Sequence, residues 1–487
     1  MQAFRIFAKN MRVYETICAC ATLPGTGAIA VIRVSGDDAI AIADKVVSLR
    51  NGRLADVASN SVRFGSVPGI DDVLVSIFRN PHSYTGEDSV EISCHASSYV
   101  IEQILFRLIE NGARPAGPGE FTQRAFVNGK MDLSQAEAVA DMIAAEDASA
   151  HRLALNQLKG GVSNEISEMR GKLLDMTSLM ELELDFSEED VEFADRSQLS
   201  SLLEEVSAHV KRLKESFRLG NALKNGVPVC IAGAANTGKS TLLNALLQEE
   251  RAIVSPIAGT TRDSIEETFV IGGIRFRFID TAGLRETDDT IESMGIERSM
   301  DKIAKADIVI AVADCQAASS DVQAQLSLIR ERMNGSQNLV VFVNKVDMIP
   351  GAGLDPACSD DSGPLVAGPI ESVIKEMIPE GSPVIYGSAK NGLGTDDLKN
   401  ILEKIQKDRV SSSRSGDTMV SNVRHYNALC SAWEALKLVR AGLDSGTSTE
   451  LVARDLRDVL YHLGSITGEI STDEVLGNIF KKFCIGK

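Results

Sequence analysis

Residues 233–240 read Gly233-Ala-Ala-Asn-Thr-Gly238-Lys239-Ser240, the pattern G-x-x-x-x-G-K-S. This spacing suits a polyphosphate. The glycines let backbone N–H groups close around it, and the N-terminus of a following helix favours its negative charge. A strand-like run, VPVCIAG (227–233), precedes the pattern and a helical one, STLLNALL, follows it. Asn236, Thr237, Gly238, Lys239, Ser240 and Thr241 are therefore expected against a nucleotide. Lys239 would reach the β- and γ-phosphates, where it would act in catalysis, and the Ser240 hydroxyl would bind Mg²⁺.

Segments further along narrow the nucleotide. Asp280-Thr-Ala-Gly283 ends a predicted strand, which puts the carboxylate at the edge where a Mg²⁺-associated water would sit. Gly283 would offer its N–H to the γ-phosphate. Asn344-Lys345-Val346-Asp347 ends another predicted strand. A carboxylate there accepts both the N1–H and the exocyclic amine of guanine, a donor pair that adenine lacks. Asn344 would complement the base edge, and Ser388-Ala389-Lys390 would supply a backbone N–H to the guanine O6. In this order and spacing the motifs predict GTP. Gly259-Thr260-Thr261-Arg262-Asp263 lies between the first helix and the second strand, with Thr261 as the second hydroxyl on Mg²⁺. Leu284 stands where many GTPases carry the glutamine that orients the attacking water, so another polar group must do that work. No arginine finger is evident in the sequence.

These residues need a sheet to hold them. Strand character begins at 227 and alternates with helices to about residue 408. EETFVI and IRFRFID are joined by Gly272-Gly273, a two-residue hairpin signal. DIVIAVAD (307–314), NLVVFVNK (338–345) and PVIYGSAK (383–390) are near-continuously apolar, as buried parallel strands should be. Residues 349–369 read as a surface insertion. The expected fold is α/β plus α, in four segments. Residues 1–128 form an N-terminal α/β domain, with strands at 28–36, 72–79 and 89–96 and a helix over 98–112. Residues 129–224 are helical, 225–410 form an inserted P-loop domain with a mostly parallel sheet, and 411–487 are helical again. The two helical stretches are expected to form one bundle.

Composition sets bounds on this reading. At about 150 residues per domain, 487 residues predict about three domains. With 44% apolar and 24% charged residues, the chain is neither disordered nor collagen-like, and no apolar run approaches a membrane span. A net charge of −18 argues against a non-specific coat on nucleic acid, so any such contact needs a local patch or a partner. Residues 181–205 carry ten acids and one base and read as a solvated face. The cysteines show no C-x-x-C and predict a reduced, cytoplasmic protein. Arg5, Lys9 and Arg12 give the first fourteen residues a targeting-like charge without the apolar core of a signal peptide.

The frame as a whole resembles the MnmE (TrmE) family of tRNA-modification GTPases: an α/β domain, a split helical domain, an inserted GTPase and a terminal Phe483-Cys484-Ile485-Gly486-Lys487. Tyr84-Thr-Gly-Glu-Asp88, Pro118-Gly-Glu-Phe121, Asp132-Leu-Ser-Gln-Ala-Glu-Ala138 and Asp280-Thr-Ala-Gly-Leu-Arg285 are also family-like. The resemblance covers nearly the whole chain after Tyr14. Ala235, in place of a common proline, and Ala96-Ser97-Ser98, in place of a glycine pair, depart from it.

The resemblance implies a homodimer whose GTPase domains pair across their nucleotide faces in a K⁺-dependent way. It places the ion on Asn236 and on backbone oxygens of Ser255, Ile257 and Thr260, and makes Glu292 the acid that orients water. Read alone, Glu292 is an ordinary helix-start glutamate. It also implies 5-formyl- or 5,10-methylene-tetrahydrofolate on Arg33, Glu91, Lys130 and Lys487. Read alone, Arg33 and Glu91 are strand-end surface charges. Cys484 is implied as a functional terminal thiol. Its distance from the terminus matches a prenylation site, but Lys487 is a poor final residue for one, and a buried structural cysteine is the other reading. The implied function is modification of carbon 5 of the wobble uridine (position 34) of certain tRNAs. A partner of the MnmG/GidA type, using FAD and NADH, would join it in a heterotetramer or larger assembly. A ribosome-assembly GTPase and a dynamin-like membrane scaffold are the alternatives, and the lack of a long basic amphipathic face argues against the second.

Overall fold

The structure is a computed structural model describing residues 15–23, 25, 27–185, 196–248, 267–279, 302–335, 337–349, 369–412, 418–470, 473–481, 483 and 486. It has two compact units. One comprises Met1–Ala144, Ala154–Lys214 and Arg424–Lys487, and the other comprises Ala145–Leu153 and Glu215–Val423.

In the first unit, β1 (Ile17–Cys20), β2 (Ile29–Ser35), β3 (Ser48–Leu49), β4 (Ser61–Val67), β5 (Asp71–Phe78), β6 (Ser89–His95) and β7 (Arg114–Pro115) form a seven-stranded sheet in the order β3-β4-β5-β6-β2-β1-β7. Its central strands are β2 (Ile29–Ser35), β5 (Asp71–Phe78) and β6 (Ser89–His95), within a residue or so of the expected runs. Ala30, Ile32, Val34, Val90, Ile92 and Cys94 alternate along β2 and β6 and are buried with Ile40, Ile42 and Ala43 of α1 (Ala39–Val46) and Ile104 and Leu108 of α2 (Ser98–Glu110). Because successive side chains point to opposite faces, Arg33 and Glu91 face away from that core. Helix α2 is capped by Asn111, and Gly112 follows at φ 110°, which a residue with a Cβ adopts only under strain. Cys18, in the strand Ile17–Cys20, is buried, and desolvation pushes its thiol up to about 11, as for an inert core residue.

Strand signals stop after Pro115, and Leu133–Ala144, Gly161–Asp185, Val423–Asp444 and Thr449–Thr467 are helices. Phe126, Leu133 and Ala136 share a buried cluster with Leu476, Phe480 and Phe483, so residues from both ends of the chain close one core.

The second unit has a six-stranded sheet ordered β13-β12-β11-β8-β10-β9. Strands β8 (Val227–Ala232), β10 (Ile274–Phe278), β11 (Ile308–Asp314), β12 (Asn338–Asn344) and β13 (Val384–Tyr386) are parallel, and β9 (Glu267–Ile271) runs antiparallel to β10. Gly272 and Gly273, at φ 57° and 76°, form the β9–β10 turn; two positive φ values identify a type I′ geometry. One sheet face packs on Leu242 and Leu246 of helix Lys239–Gln248 and on Leu398 and Leu402 of helix Thr395–Ser412. The other packs on Val322, Leu326 and Ile329 of helix Ser319–Arg332 and on Ile374 of helix Pro369–Met377. This is a doubly wound α/β sandwich, whose ligands bind at the carboxyl ends of the strands.

The second unit claims more chain than residues 225–410. Ala222 and Leu223 are buried in its core, and Ser149 donates both N–H and Oγ–H to the Gly273 carbonyl, at 3.2 and 3.0 Å. The compact boundary therefore falls inside the long helix Arg196–Asn225. Among the described residues, no helix is long and apolar enough to cross a membrane. The 349–369 insertion lies outside the described residues except at its two ends, and residues 1–14 lie wholly outside them.

Candidate nucleotide-binding site

Strand β8 ends at Ala232 and helix α8 (Lys239–Gln248) starts at Lys239, so the intervening loop lies at the carboxyl edge of the sheet. Asn236 and Gly238 have φ of 60° and 94°, a left-handed turn that aims backbone N–H groups into one concavity. Gly233 is required by proximity, since a Cβ there would meet the Val312 carbonyl at 2.6 Å and Thr237 Oγ1 at 2.9 Å. Gly238 is required twice, by its φ and because a Cβ would run into Asn344 Nδ2. Thr237 is buried and donates to the Ala234 carbonyl at 3.0 Å. Lys239 Nζ donates to the carbonyls of Gly233 (3.0 Å) and Ala234 (2.7 Å), so the ammonium lies over the loop where phosphate oxygens would compete for it. Burial lowers its pKa, and an anion at the loop reverses that effect. Ser240 sits half-buried in the first helical turn and Thr241 is exposed beside it.

The opposite end of the site is built by β12. After Asn344, Lys345 turns left-handed at φ 66° and a short 3-10 turn, Val346–Met348, carries Asp347. Lys345 Nζ pairs with Asp314 at the end of β11, 2.7 Å away. The Asp347 carboxylate makes no hydrogen bond or ion pair among the described residues, which leaves both oxygens for a ligand's donors. Asn344 is 3% exposed. Its Nδ2 donates to the Thr237 carbonyl at 2.8 Å, and its Oδ1 accepts the Ala389 N–H at 2.9 Å. Beside the expected base-edge contact, this side chain is a strut tying the phosphate loop to the 388–390 segment, and it keeps a second N–H and a second lone pair for other partners. Ser388 and Leu393 exchange backbone bonds at 3.0 and 3.1 Å, which fixes that segment. The buried Ser388 Oγ has no hydrogen-bond partner among the described residues. An orphaned hydroxyl and a free carboxylate at one sheet edge fit a polar base, and the loop fits its phosphates. Lys390 is exposed at the same edge.

Asp280, Gly283, Glu292, Ser255, Ile257, Thr260 and Thr261 lie outside the described residues, as do Cys484 and Lys487. The structure brings together Asn236 through Lys239 with Asn344, Asp347, Ser388 and Ala389. Gln325 escaped the sequence reading. Its Oε1 accepts the Ala234 N–H at 3.3 Å and its Nε2 donates to the Val312 carbonyl at 3.1 Å. Only the distance of Gln325 from every motif hid it.

A second cluster lies on the N-terminal sheet. Arg33 and Glu91 are direct cross-strand partners, bonded at 2.8 and 2.9 Å. The Arg33 guanidinium lies 5.2 Å from the Tyr84 ring centroid and 5.6 Å from that of Phe121. Lys130 donates to the Pro81 carbonyl at 2.9 Å and packs against Gly86, so it touches the loop that carries Tyr84. Buried Arg124 anchors that loop through Glu87, 3.0 Å away, and Glu87 also accepts from Ser35 at 2.9 Å. Phe483 lies against Gly119 (2.9 Å for an added Cβ), and Gly486 lies against the backbone of Cys20 and Ala21. Gly486 of the terminal segment therefore lies beside this sheet. The runs holding Tyr84, Glu87, Glu120 and Phe121 were visible in the sequence, but their mutual contacts were not.

A model of the N-terminus of GTP-binding protein TrmE matches residues 16–130, and one of the MnmE helical domain matches residues 133–484. A tRNA modification GTPase MnmE of Bacteroides thetaiotaomicron is 50% identical over 479 residues, covering 97% of this chain and 99% of the relative. The chain belongs to the MnmE family. The MnmE proteins of Parabacteroides distasonis and Flavobacterium johnsoniae are 48% and 46% identical, each over 97% of this chain and 100% and 99% of their own lengths. The MnmE helical-domain match starts at helix Leu133–Ala144 and runs across the whole second unit.

Proposed function

We propose that the chain hydrolyses GTP at the loop around Lys239 and uses the cycle in modifying carbon 5 of the wobble uridine of certain tRNAs, where an aminomethyl or carboxymethylaminomethyl group is added. The observation that carries this is full-length similarity to proteins named tRNA modification GTPase, joined to a phosphate loop strutted through Asn344 to the 388–390 segment. Asp347 reads guanine, Asn344 sets the spacing between base and phosphates, and Lys239 leaves the loop carbonyls for the β- and γ-phosphates. Mg²⁺ on Ser240 and Thr261, and K⁺ on Asn236, Ser255, Ile257 and Thr260, would offset the charge that develops on the phosphates. Glu292 orients the attacking water, and Asp280 and Gly283 complete the γ-phosphate end. In this reading residues 1–128 form the folate-binding and dimerising domain and 225–410 the GTPase domain within helical segments 129–224 and 411–487. A tetrahydrofolate on Arg33, Glu91, Lys130 and Lys487 supplies the one-carbon unit, and the thiol of Cys484 acts at the same terminus. The protein works as a cytoplasmic homodimer with a partner that brings FAD and NADH.

Mass spectrometry of wobble nucleosides from a strain lacking the chain tests the reading: the modified uridine should disappear, and unchanged modification would overturn it. Hydrolysis by the purified protein should run much faster in KCl than in NaCl at equal ionic strength, and Asn236→Ala should blunt the difference.

A further inference from the structure

Trp433 is the only tryptophan in the chain, and it is half-buried on helix α12 (Val423–Asp444). Two ammonium groups lie over its ring: Lys214 Nζ, from helix Arg196–Asn225, is 5.4 Å from the centroid and Lys437 Nζ is 5.7 Å from it. Trp433, Lys437 and Arg440 are spaced i, i+4 and i+7 and share one helical face, and Lys211 and Lys214 share another at i, i+3. Residues 209–214, HVKRLK, hold three cations and no acid in a chain of net charge −18. Carboxylates are present too. Glu434 pairs with Lys437 at 2.8 Å and Glu204 with Arg440 at 2.9 Å. Lys437 and Arg440 are more than half exposed, so phosphates can compete with these carboxylates for both side chains.

An aromatic face flanked by cations is the chemistry of single-stranded nucleic acid binding, with a base stacked on the ring and phosphates on the cations. We propose that the Trp433–Lys214–Lys437 surface binds an unpaired stretch of the tRNA substrate, with the indole as stacking platform. This rests on the tRNA reading above. It also answers the charge problem, because a net-acidic chain meets a polyanion only where cations gather. A flat aromatic ring with long, mobile cations suits an unpaired base better than a duplex, whose bases are already stacked.

The single indole is its own reporter. Full-length protein is titrated with fluorescein-labelled bulk tRNA, and anisotropy and Trp433 emission are followed together. Emission should change along the anisotropy curve with the same Kd. A poly-U oligonucleotide should reproduce the emission change, and a duplex RNA of equal length should not. Lys214→Glu and Lys437→Glu should each weaken tRNA binding about 5–10-fold and lower the salt slope by about one. Trp433→Leu, checked for native circular dichroism, should weaken it while leaving the salt slope intact. If tRNA binds by anisotropy while Trp433 emission and both charge reversals stay silent, this surface is not the interface and the tRNA reading stands. An equal response to duplex RNA would remove the stacking role, and no binding of tRNA at all would remove both readings.

Discussion

Glu137 and Arg424 are 287 residues apart in sequence and form a two-pronged ion pair, with Nε–Oε1 at 2.8 Å and Nη2–Oε2 at 3.0 Å. Glu137 lies on the helix before the second unit, and Arg424 is the first residue after it. His425, fully buried, sits with Nε2 2.8 Å from Glu137 Oε2, so the carboxylate demands the proton on Nε2. Arg424 also donates to the carbonyls of Ser465 and, at 2.9 Å, Ile466, and so satisfies the last turn of helix Thr449–Thr467. This cluster fastens the chain where it returns to the first unit.

Burial alone would raise the Glu137 pKa, but the His425 and Arg424 side chains bonded to its carboxylate hold it down to about 2 from an ordinary 4.5. A depressed folded pKa means the stabilisation is fully present above pH 4.5 and is lost as pH falls from there towards 2. Glu137→Ala should cost about 3 kcal/mol, because it takes the carboxylate from the part-buried Arg424 and the fully buried His425 together. Glu137→Gln should remove part of the fall in Tm between pH 4.5 and 3. Calorimetric melts over that range check both. An unchanged Tm for Glu137→Ala at pH 7 would mean that water replaces the carboxylate.

The Asn344 strut predicts that this side chain controls nucleotide affinity by holding the phosphate loop to the 388–390 segment. Asn344→Ala removes two buried hydrogen bonds, each worth about 1 kcal/mol net, and leaves the Ala389 N–H without its partner. GTP should bind roughly tenfold or more weakly, and GDP should lose a similar factor, because the loop-to-loop spacing serves both. Gly238→Ala should be worse, since it strains a φ of 94° and pushes a methyl into Asn344. Equilibrium titration with a fluorescent GDP analogue measures both, and a loss confined to GTP would place the defect at the γ-phosphate end.

Local signals in the sequence located much of this. Val309–Ala313 and Val340–Val343 are apolar without a break because parallel strands are buried on both faces, and Gly272-Gly273 marks a turn that only positive φ can make. The phosphate loop is legible for the same reason, as its glycines answer to local backbone geometry. What a linear reading misses is set by contacts across long separations. The bonds of Asn344 to Thr237 and Ala389 join segments 107 and 45 residues away, and no local pattern shows them. Arg33 and Glu91 look like independent strand-end charges until the β2–β6 register makes them partners. The compact boundary falls within a helix, where no composition change marks it, because Ala222 and Leu223 bury into the sheet beyond.

Asp347 offers a test of base recognition. Asp347→Asn exchanges one acceptor for a donor, which no longer matches the N1–H and exocyclic amine of guanine. GTP affinity should fall, and xanthosine triphosphate, which carries an oxygen in place of that amine, should gain. A good mismatch of this kind is worth about 1–3 kcal/mol, or roughly ten- to a hundredfold. Competition binding with the two nucleotides reads the exchange directly, and an unchanged GTP preference would sink the guanine assignment.

The Arg33–Glu91 pair separates a binding role from a structural one. Its side chains are 20% and 28% exposed, so as a cross-strand ion pair it should contribute only about 0–1 kcal/mol to stability. As a ligand site it has much more to lose: Glu91 would accept the amino edge of a pterin, and Arg33, stacked near Tyr84 and Phe121, would take part in the same pocket. Arg33→Ala and Glu91→Gln should therefore each weaken binding of 5-formyltetrahydrofolate at least tenfold with a Tm shift of only a few degrees. Arg124→Ala, by contrast, removes the buried partner of Glu87 and should lower both Tm and affinity, because it releases the Tyr84 loop. The measurement is isothermal titration of the full-length chain, since Phe483 and Gly486 bring the C-terminal segment against this sheet. If Arg33→Ala and Glu91→Gln leave affinity unchanged, the pair is an ordinary cross-strand contact and the folate site lies elsewhere.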